Sequence, residues 1–232
     1  MTVVVGTTLA AFCLDREDTW GAWMYHADQI KASHPDGVKY FAAIQVDARG
    51  LAPFDKFLDR LGSVGGEHWT YSLDDGRTSV TTANRLRHLT MGQNLVTDFC
   101  CTGDVSHLLF MAADCAPPPD VLPKLLEMDY PLCAPYIPTY SLRGPMLKSY
   151  PFPVMDAMAS AAAIFLRRDV FRFLRWRWDR DAGMSDDPCM HADAKKFLGI
   201  PTHVRCDILA KHYPECIGAV EQRGHDMTVV RE

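Results

Sequence analysis

No apolar run in this 232-residue chain is long enough to cross a membrane. No two cysteines are spaced Cys-x-x-Cys, and neither an internal repeat nor a low-complexity tract is visible. The first absence excludes a helical span and the second argues against a structural zinc site. Positive charge is in deficit as well. The formal net charge of −5 rules out whole-surface attraction to nucleic acid or an anionic membrane, and leaves room only for a local basic face. The apolar start Val3–Leu14 lacks a basic leader and runs into Asp15, Glu17 and Asp18, so a first buried strand over Thr2–Gly6 is expected rather than a signal peptide.

The eight cysteines are scattered, with one vicinal pair, Cys100-Cys101. That pattern suits reduced, packed thiols and a cytoplasmic setting. Cys189, His191, Cys206 and His212 form the one alternative, a weak zinc cluster. With 48% apolar and 23% charged residues, the composition is that of a globular chain able to bury a sizeable core.

Strand and helix patterns alternate through the first half. Strands are expected at Val3–Val5, ending in Gly6-Thr7-Thr8, at Lys39–Val46, running into Asp47, at Trp69–Leu73 and at Leu108–Ala112. Helices are expected over Asp18–Ala32, Phe54–Leu61 and Thr82–Cys100. This alternation predicts a parallel α/β sheet. The second half reads as a helix over Asp120–Met128 and a strand over Leu132–Ile137. A loop over Pro138–Pro153 follows, rich in Pro, Gly, Ser and Tyr and expected to act as a lid. Then come a strand over Ala159–Leu166, an arginine-rich helix, a helix from Met184 through Phe197, and a last strand over Thr202–Cys206.

The most telling stretch is His107-Leu-Leu-Phe-Met-Ala-Ala-Asp114-Cys-Ala-Pro-Pro-Pro119. Its apolar run has the length of a strand buried on both faces, and the prolines forbid its continuation as a central strand. Asp114 therefore falls at a strand's carboxyl end, where open α/β sheets bind ligands. A carboxylate there can hold a hard divalent cation against phosphate oxygens. Taken alone, Asp114 could equally be a turn residue.

In order along the chain, Thr7 and Thr8, Asp47, the segment Gly92-Gln93-Asn94, Asp114, Met184-Ser-Asp186-Asp187-Pro188 and Cys206-Asp207-Ile-Leu-Ala-Lys-His212 resemble the motifs of GT-A glycosyltransferases. The resemblance covers Thr2 to about Tyr213. It implies one GT-A type α/β domain over 1–232, with a mostly parallel central sheet flanked by helices. A Rossmann-like half, 1–115, would bind a nucleotide sugar, and an acceptor half, 116–232, would follow. It further implies that Thr7, Thr8, Asp47, Asn94 and Asp114 line the donor, and that Asp114 and His212 ligate Mn²⁺ or Mg²⁺. Asp187 would be the general base, with Asp186 as its understudy or an acceptor-positioning group. Two departures stand out. Gln93 replaces the arginine of the family's Arg-Asn pair, and Ala112 replaces the first acid of its acidic-x-acidic signature.

The expected reaction is transfer of a sugar from a nucleotide-sugar donor, with a UDP-sugar foremost, to a hydroxyl acceptor, with inversion. A divalent metal neutralises the leaving diphosphate, and a carboxylate takes the acceptor's proton. Asp186 before a helical run is also an ordinary N-cap, with Pro188 fitting the same helix start. The stretch Arg167–Arg180 interleaves six arginines with Phe171, Phe173, Trp176 and Trp178. A nucleic-acid acceptor would use it; otherwise its arginine stems cover buried aromatics, and the acceptor is a glycan, small molecule or protein. Two rivals remain: a nucleotide-sugar-binding protein that has lost catalysis, and a nucleotidyltransferase of related fold.

Overall fold

The computed structural model describes residues 1–11, 17–34, 36–72, 82–137, 154–155, 162–179, 181 and 186–212. The loop expected over Pro138–Pro153 lies outside them. Along the chain come β1 (Val3–Ala10), α1 (Glu17–Ser33), β2 (Val38–Gln45), α2 (Asp55–Ser63), β3 (Glu67–Tyr71), α3 (Thr82–Thr102) and β4 (His107–Met111). The second half holds β5 (Cys115–Ala116), α4 (Val121–Met128), β6 (Leu132–Tyr136), β7 (Val154–Met155), β8 (Ala163–Arg167), α5 (Arg168–Phe171), α6 (Asp186–Asp193), β9 (His203–Leu209) and β10 (Lys211–His212).

Eight strands form one sheet in the order β3-β2-β1-β4-β8-β6-β9-β7, and β10 pairs with β5 in a separate ribbon. The β3, β2, β1 and β4 strands are all parallel. The β8 strand runs antiparallel to both β4 and β6, β9 is again parallel to β6, and β7 closes the edge antiparallel. The first half is thus wholly parallel, as the alternation of elements predicts, and the reversal comes with β8.

The parallel strands are apolar on both faces because helices cover both. On one face Val3, Val5 and Leu9 of β1 pack with Trp23, Met24 and Ile30 of α1 and Phe57 and Leu61 of α2. On the other, Val4, Phe41, Leu108 and Phe110 pack with Val96 of α3, Trp176 and Met190. The side chains of a strand alternate between faces, so the β-branched run Val3-Val4-Val5 feeds both cores. The α3 helix comes very close to the sheet. A Cβ on Gly6 would lie 2.4 Å from Val96 Cγ1, and one on Gly92 would lie 2.7 Å from Thr8 Cγ2. Only glycine permits this approach at either position.

Two expectations are corrected. The β1 strand does not end at Gly6-Thr7-Thr8 but runs on to Ala10, because β2 continues to pair with it as far as Ala10–Gln45. The arginine-rich helix does not extend over Arg167–Arg180. Helix α5 stops at Phe171, and the chain from Leu174 to Trp178 has no regular structure. The cause is tertiary. Asn94 of α3 captures the Trp176 backbone, accepting from its N–H at 2.9 Å and donating to its carbonyl at 2.9 Å. Both groups a helix would need at Trp176 are therefore taken, and the indole N–H donates to Thr97 Oγ1 at 3.2 Å. Among the described residues, the helix expected from Met184 through Phe197 is α-helical over Asp186–Asp193, continues as a π-helical turn over Ala194–Leu198, and ends on Gly199 at a φ of 67°.

Candidate active site

Because β1, β2 and β4 are parallel, their carboxyl ends share one edge of the sheet. The β4 strand ends at Met111, whose carbonyl accepts the Trp23 indole N–H at 3.0 Å in the buried core. The chain then turns, with Cys115 N–H donating to the Ala112 carbonyl at 3.0 Å, and enters β5. Asp114 sits in that turn. The β5–β10 ribbon pairs Cys115 with His212, which carries the histidine to the mouth of β4. As a result His212 Nε2 lies 3.8 Å from Asp114 Oδ2, with both side chains partly exposed. The separation exceeds a hydrogen bond and is one that two ligands of a single divalent ion can take. Carboxylate and imidazole are a donor set suited to Mn²⁺, or to Mg²⁺ with more water. No third His, Cys, Asp or Glu joins them among the described residues. Further ligands would have to come from water or from phosphate oxygens.

Asp47 follows β2 at the same edge. Its Oδ1 accepts the Arg49 backbone N–H at 2.9 Å, closing the Asp47–Gly50 turn, and the Arg49 Nε–H reaches both carboxylate oxygens at 3.1 Å. Hydrogen bonding from Arg49 holds the Asp47 carboxyl below the usual carboxylate range. Arg49 also donates to the Ala11 carbonyl at 3.0 Å, and Gln45 Oε1 accepts from the Ala11 N–H at 3.1 Å. Asp47, Arg49, Gln45 and Ala11 thus tie the ends of β1 and β2 together. Sequence reasoning passed over Arg49 and Gln45. Arg49 left a signal in the Asp47-Ala-Arg49-Gly50 turn, since aspartate side chains commonly accept from the N–H two residues on.

Thr7 is fully buried on the α1 face of β1, and its hydroxyl has no hydrogen-bond partner among the described residues. It lies within β1 rather than at its end, since β1 pairs with β2 as far as Ala10. Thr8, on the opposite face, is partly buried and lies against Gly92. Asn94 is committed at both ends of its amide to Trp176, so it clamps the chain rather than presenting a free amide. Its neighbour Gln93 donates from Nε2 to Asp186 Oδ2 at 2.8 Å across a buried contact. Asp186 is 4% exposed, whereas Asp187, one residue further along α6, is half-buried.

The weak zinc cluster does not form. His191 Nδ1 hydrogen-bonds Thr202 Oγ1 at 2.6 Å, and no group of three metal-ligating side chains is found among the described residues, whose cysteines are not in disulfides. The basic segment is largely neutralised in place. Arg167 pairs with Asp129 and Asp169, Arg168 with Asp104, Arg175 with Asp98, and Arg177 with Asp193 and Asp179. No described helix is long and apolar enough to cross a membrane.

No family model and no curated protein sequence matches the chain. Solved structures do. Residues 1–349 of TarS from S. aureus, one of several glycosyltransferases among the structural neighbours, superpose with a TM-score of 0.53 at 10% identity. That match covers 96% of this chain and 64% of the TarS fragment, so the chain spans under two thirds of that relative. The fold is of the GT-A type. The inositol-1-phosphate CTP transferase of T. maritima is looser, with a TM-score of 0.49 at 10% identity over 94% of this chain and 97% of that one. A glycosyltransferase involved in glycosylating the major capsid of PBCV-1 gives 0.40 at 11% identity over 94% and 99%. Neither carries an argument about this chain. Asp114 follows β4 in this sheet, and Asp186-Asp187 open α6.

Proposed function

We propose that the chain is a metal-dependent glycosyltransferase that moves a sugar from a nucleotide-sugar donor to a hydroxyl acceptor with inversion. The observation that carries this reading is the meeting of Asp114 and His212 at the carboxyl end of β4 in a GT-A sheet. Asp114 and His212 would hold Mn²⁺ or Mg²⁺, and the ion, when bound, neutralises the diphosphate that departs from the sugar. The remaining work falls to the chain. The Asp47–Arg49 turn and the ends of β1 and β2 form the edge along which the nucleotide lies, as ligands do in open α/β sheets. Asp187 takes the proton of the acceptor hydroxyl as the oxygen bonds to sugar C1 and the C1–O bond to the diphosphate breaks. Asp187 suits this role better than Asp186, because a base must reach solvent-borne substrate and Asp186 is buried against Gln93. Free thiols among the described residues support a reducing, cytoplasmic setting.

The test is calorimetric binding of UDP-sugars and GDP-sugars with and without MnCl₂, followed by mass-spectrometric detection of transfer to glycoside, protein and oligonucleotide acceptors. Metal-dependent donor binding that is lost in Asp114→Ala and weakened in His212→Ala is expected. Asp187→Asn should retain that binding and lose about 10²–10⁴-fold in kcat. Metal-independent binding, or full affinity in Asp114→Ala, refutes the metal assignment. Metal-dependent binding without turnover of any donor would identify a binding protein that has lost catalysis.

A further inference from the structure

Gln93 and Asp186 lie 93 residues apart in sequence, on α3 and on the first turn of α6, and they meet in the core. Gln93 is 1% exposed and Asp186 4%. A buried carboxylate is costly unless hydrogen-bonded, and Gln93 Nε2 supplies a donor at 2.8 Å. The other end of the same amide, Gln93 Oε1, is buried with no hydrogen-bond partner among the described residues. The amide is therefore held in this orientation by what Asp186 accepts. The same stretch of α3 grips the chain that leads toward α6. Asn94 clamps the Trp176 backbone, and Thr97 Oγ1 both accepts from the Trp176 indole and donates to the Gln93 carbonyl at 2.9 Å. From the far end of α6, Asp193 receives Arg177 through two hydrogen bonds of 2.7 and 2.9 Å.

We propose that Gln93 is a positioning residue: by holding the Asp186 carboxylate it fixes the first turn of α6, and with it the orientation of Asp187. The catalytic part of this inference rests on the reading of Asp187 as the base; the anchoring of α6 does not. Asp186 is then an anchor whose required property is a hydrogen-bond acceptor facing Gln93, not a negative charge. This predicts an unusual tolerance. In Asp186→Asn the new Oδ1 still accepts from Gln93 Nε2, and the new Nδ2–H can donate to the partnerless Gln93 Oε1. Asp186→Ala and Gln93→Leu remove the contact altogether.

The experiment compares hydrogen exchange of peptides covering 186–193 with that of β2 in wild type, Gln93→Leu, Asp186→Ala, Asp186→Asn and Asp187→Asn. The same proteins are assayed for turnover of UDP-glucose, UDP-N-acetylglucosamine and GDP-mannose with Mn²⁺. Gln93→Leu and Asp186→Ala should speed exchange in α6 about tenfold while β2 stays protected, as expected when one hydrogen bond to a charged group is lost from a local unit. Their kcat should fall roughly 10–100-fold at unchanged KM, the effect of a displaced catalytic group. Asp186→Asn should match wild type in both readouts. Asp187→Asn should lose turnover with α6 exchange unchanged.

Unchanged α6 protection in Gln93→Leu overturns the proposal. So does an Asp186→Asn enzyme that keeps its protection and loses turnover, since the charge would then be what matters. If Gln93→Leu does not fold, the contrast between Asp186→Asn and Asp186→Ala decides the same point. A wild-type protein that turns over no donor defeats the proposed function instead, and exchange in α6 still decides whether Gln93 holds the helix.

Discussion

Gly6→Ala places a methyl group in space already held by Val96. The new Cβ would lie 2.4 Å from Val96 Cγ1 and 3.3 Å from Leu108 Cδ1, whereas carbon atoms rest at about 3.5–4.0 Å. Val96 is fully buried on α3 and cannot swing into solvent, so the helix, the strand or the valine rotamer must give. Overpacking of this kind costs about 1–3 kcal/mol. The lower backbone entropy of alanine in the unfolded chain offsets about 0.4–1 kcal/mol of that. A net loss of about 1–2 kcal/mol should lower Tm by roughly 2–8 °C in a chain of this size. Val96→Ala alone should also destabilise, by about 2 kcal/mol, through lost burial. In the double variant the Gly6→Ala methyl enters the space that Cγ1 vacated, and the remaining Val96 Cβ position lies an unstrained 3.7 Å away. The two changes should therefore be strongly non-additive, with the double variant at least as stable as Val96→Ala. Urea unfolding of the four proteins in a double-mutant cycle measures the coupling. Additive losses would refute the claim that α3 rests on β1 through this glycine.

Three further outcomes are expected. His107, buried and stacked on Phe165 at a centroid distance of 4.9 Å, has its imidazole pushed below the usual histidine range by burial. As pH falls, the unfolded chain binds this proton first, so His107's contribution to stability is full above about pH 6.5 and is lost as pH drops from there toward the folded value. His107→Gln should flatten the Tm–pH profile between pH 7 and 5, and an unchanged slope would contradict the assignment. Asn94→Asp keeps the acceptor for the Trp176 N–H but sets a carboxylate oxygen against the Trp176 carbonyl. It should destabilise by about 1–3 kcal/mol and red-shift tryptophan fluorescence, and a wild-type urea midpoint would show that the clamp is dispensable. Trp23→Phe keeps the aromatic packing and strands the Met111 carbonyl in the core, at about 1–3 kcal/mol, and an unchanged midpoint would show that the carbonyl finds another donor.

Much of the candidate site could be read from local residue order. The strand leading to Asp114 had to end near it because an apolar run stops and three prolines follow, and a proline-free core strand is a local requirement. The Asp186-Asp187 helix start is equally local, since acids favour the first turn. Element bounds that depend on partners distant in sequence were not legible in this way. Thr7 looked like a strand-end residue because Gly6-Thr7-Thr8 resembles a break, yet β2 offers backbone partners that carry β1 on to Ala10. The stretch Arg167–Arg180 has every local sign of a helix. It is pulled open beyond Phe171 because Asn94 competes successfully for the Trp176 N–H and carbonyl.

The sequence by itself determined the alternation of elements, the burial of β1, β2 and β4 on both faces, and the place of Asp114 at a strand's end. Periodicity and proline act within a few residues, so these features need no knowledge of the rest of the chain. Asp114 and His212, which the resemblance puts on one ion, come within 3.8 Å of each other only in the tertiary structure, through a two-residue ribbon too short to leave a pattern. The tertiary structure alone decided that Asp47 is held by Arg49, and that Gln93 holds Asp186 while Asn94 holds Trp176. Each of these is a choice of hydrogen-bond or ion-pair partner. Any amide, carboxylate or guanidinium can take many partners with similar energy, and only the packing of α3 and the β5–β10 ribbon against the sheet brings one of them within reach.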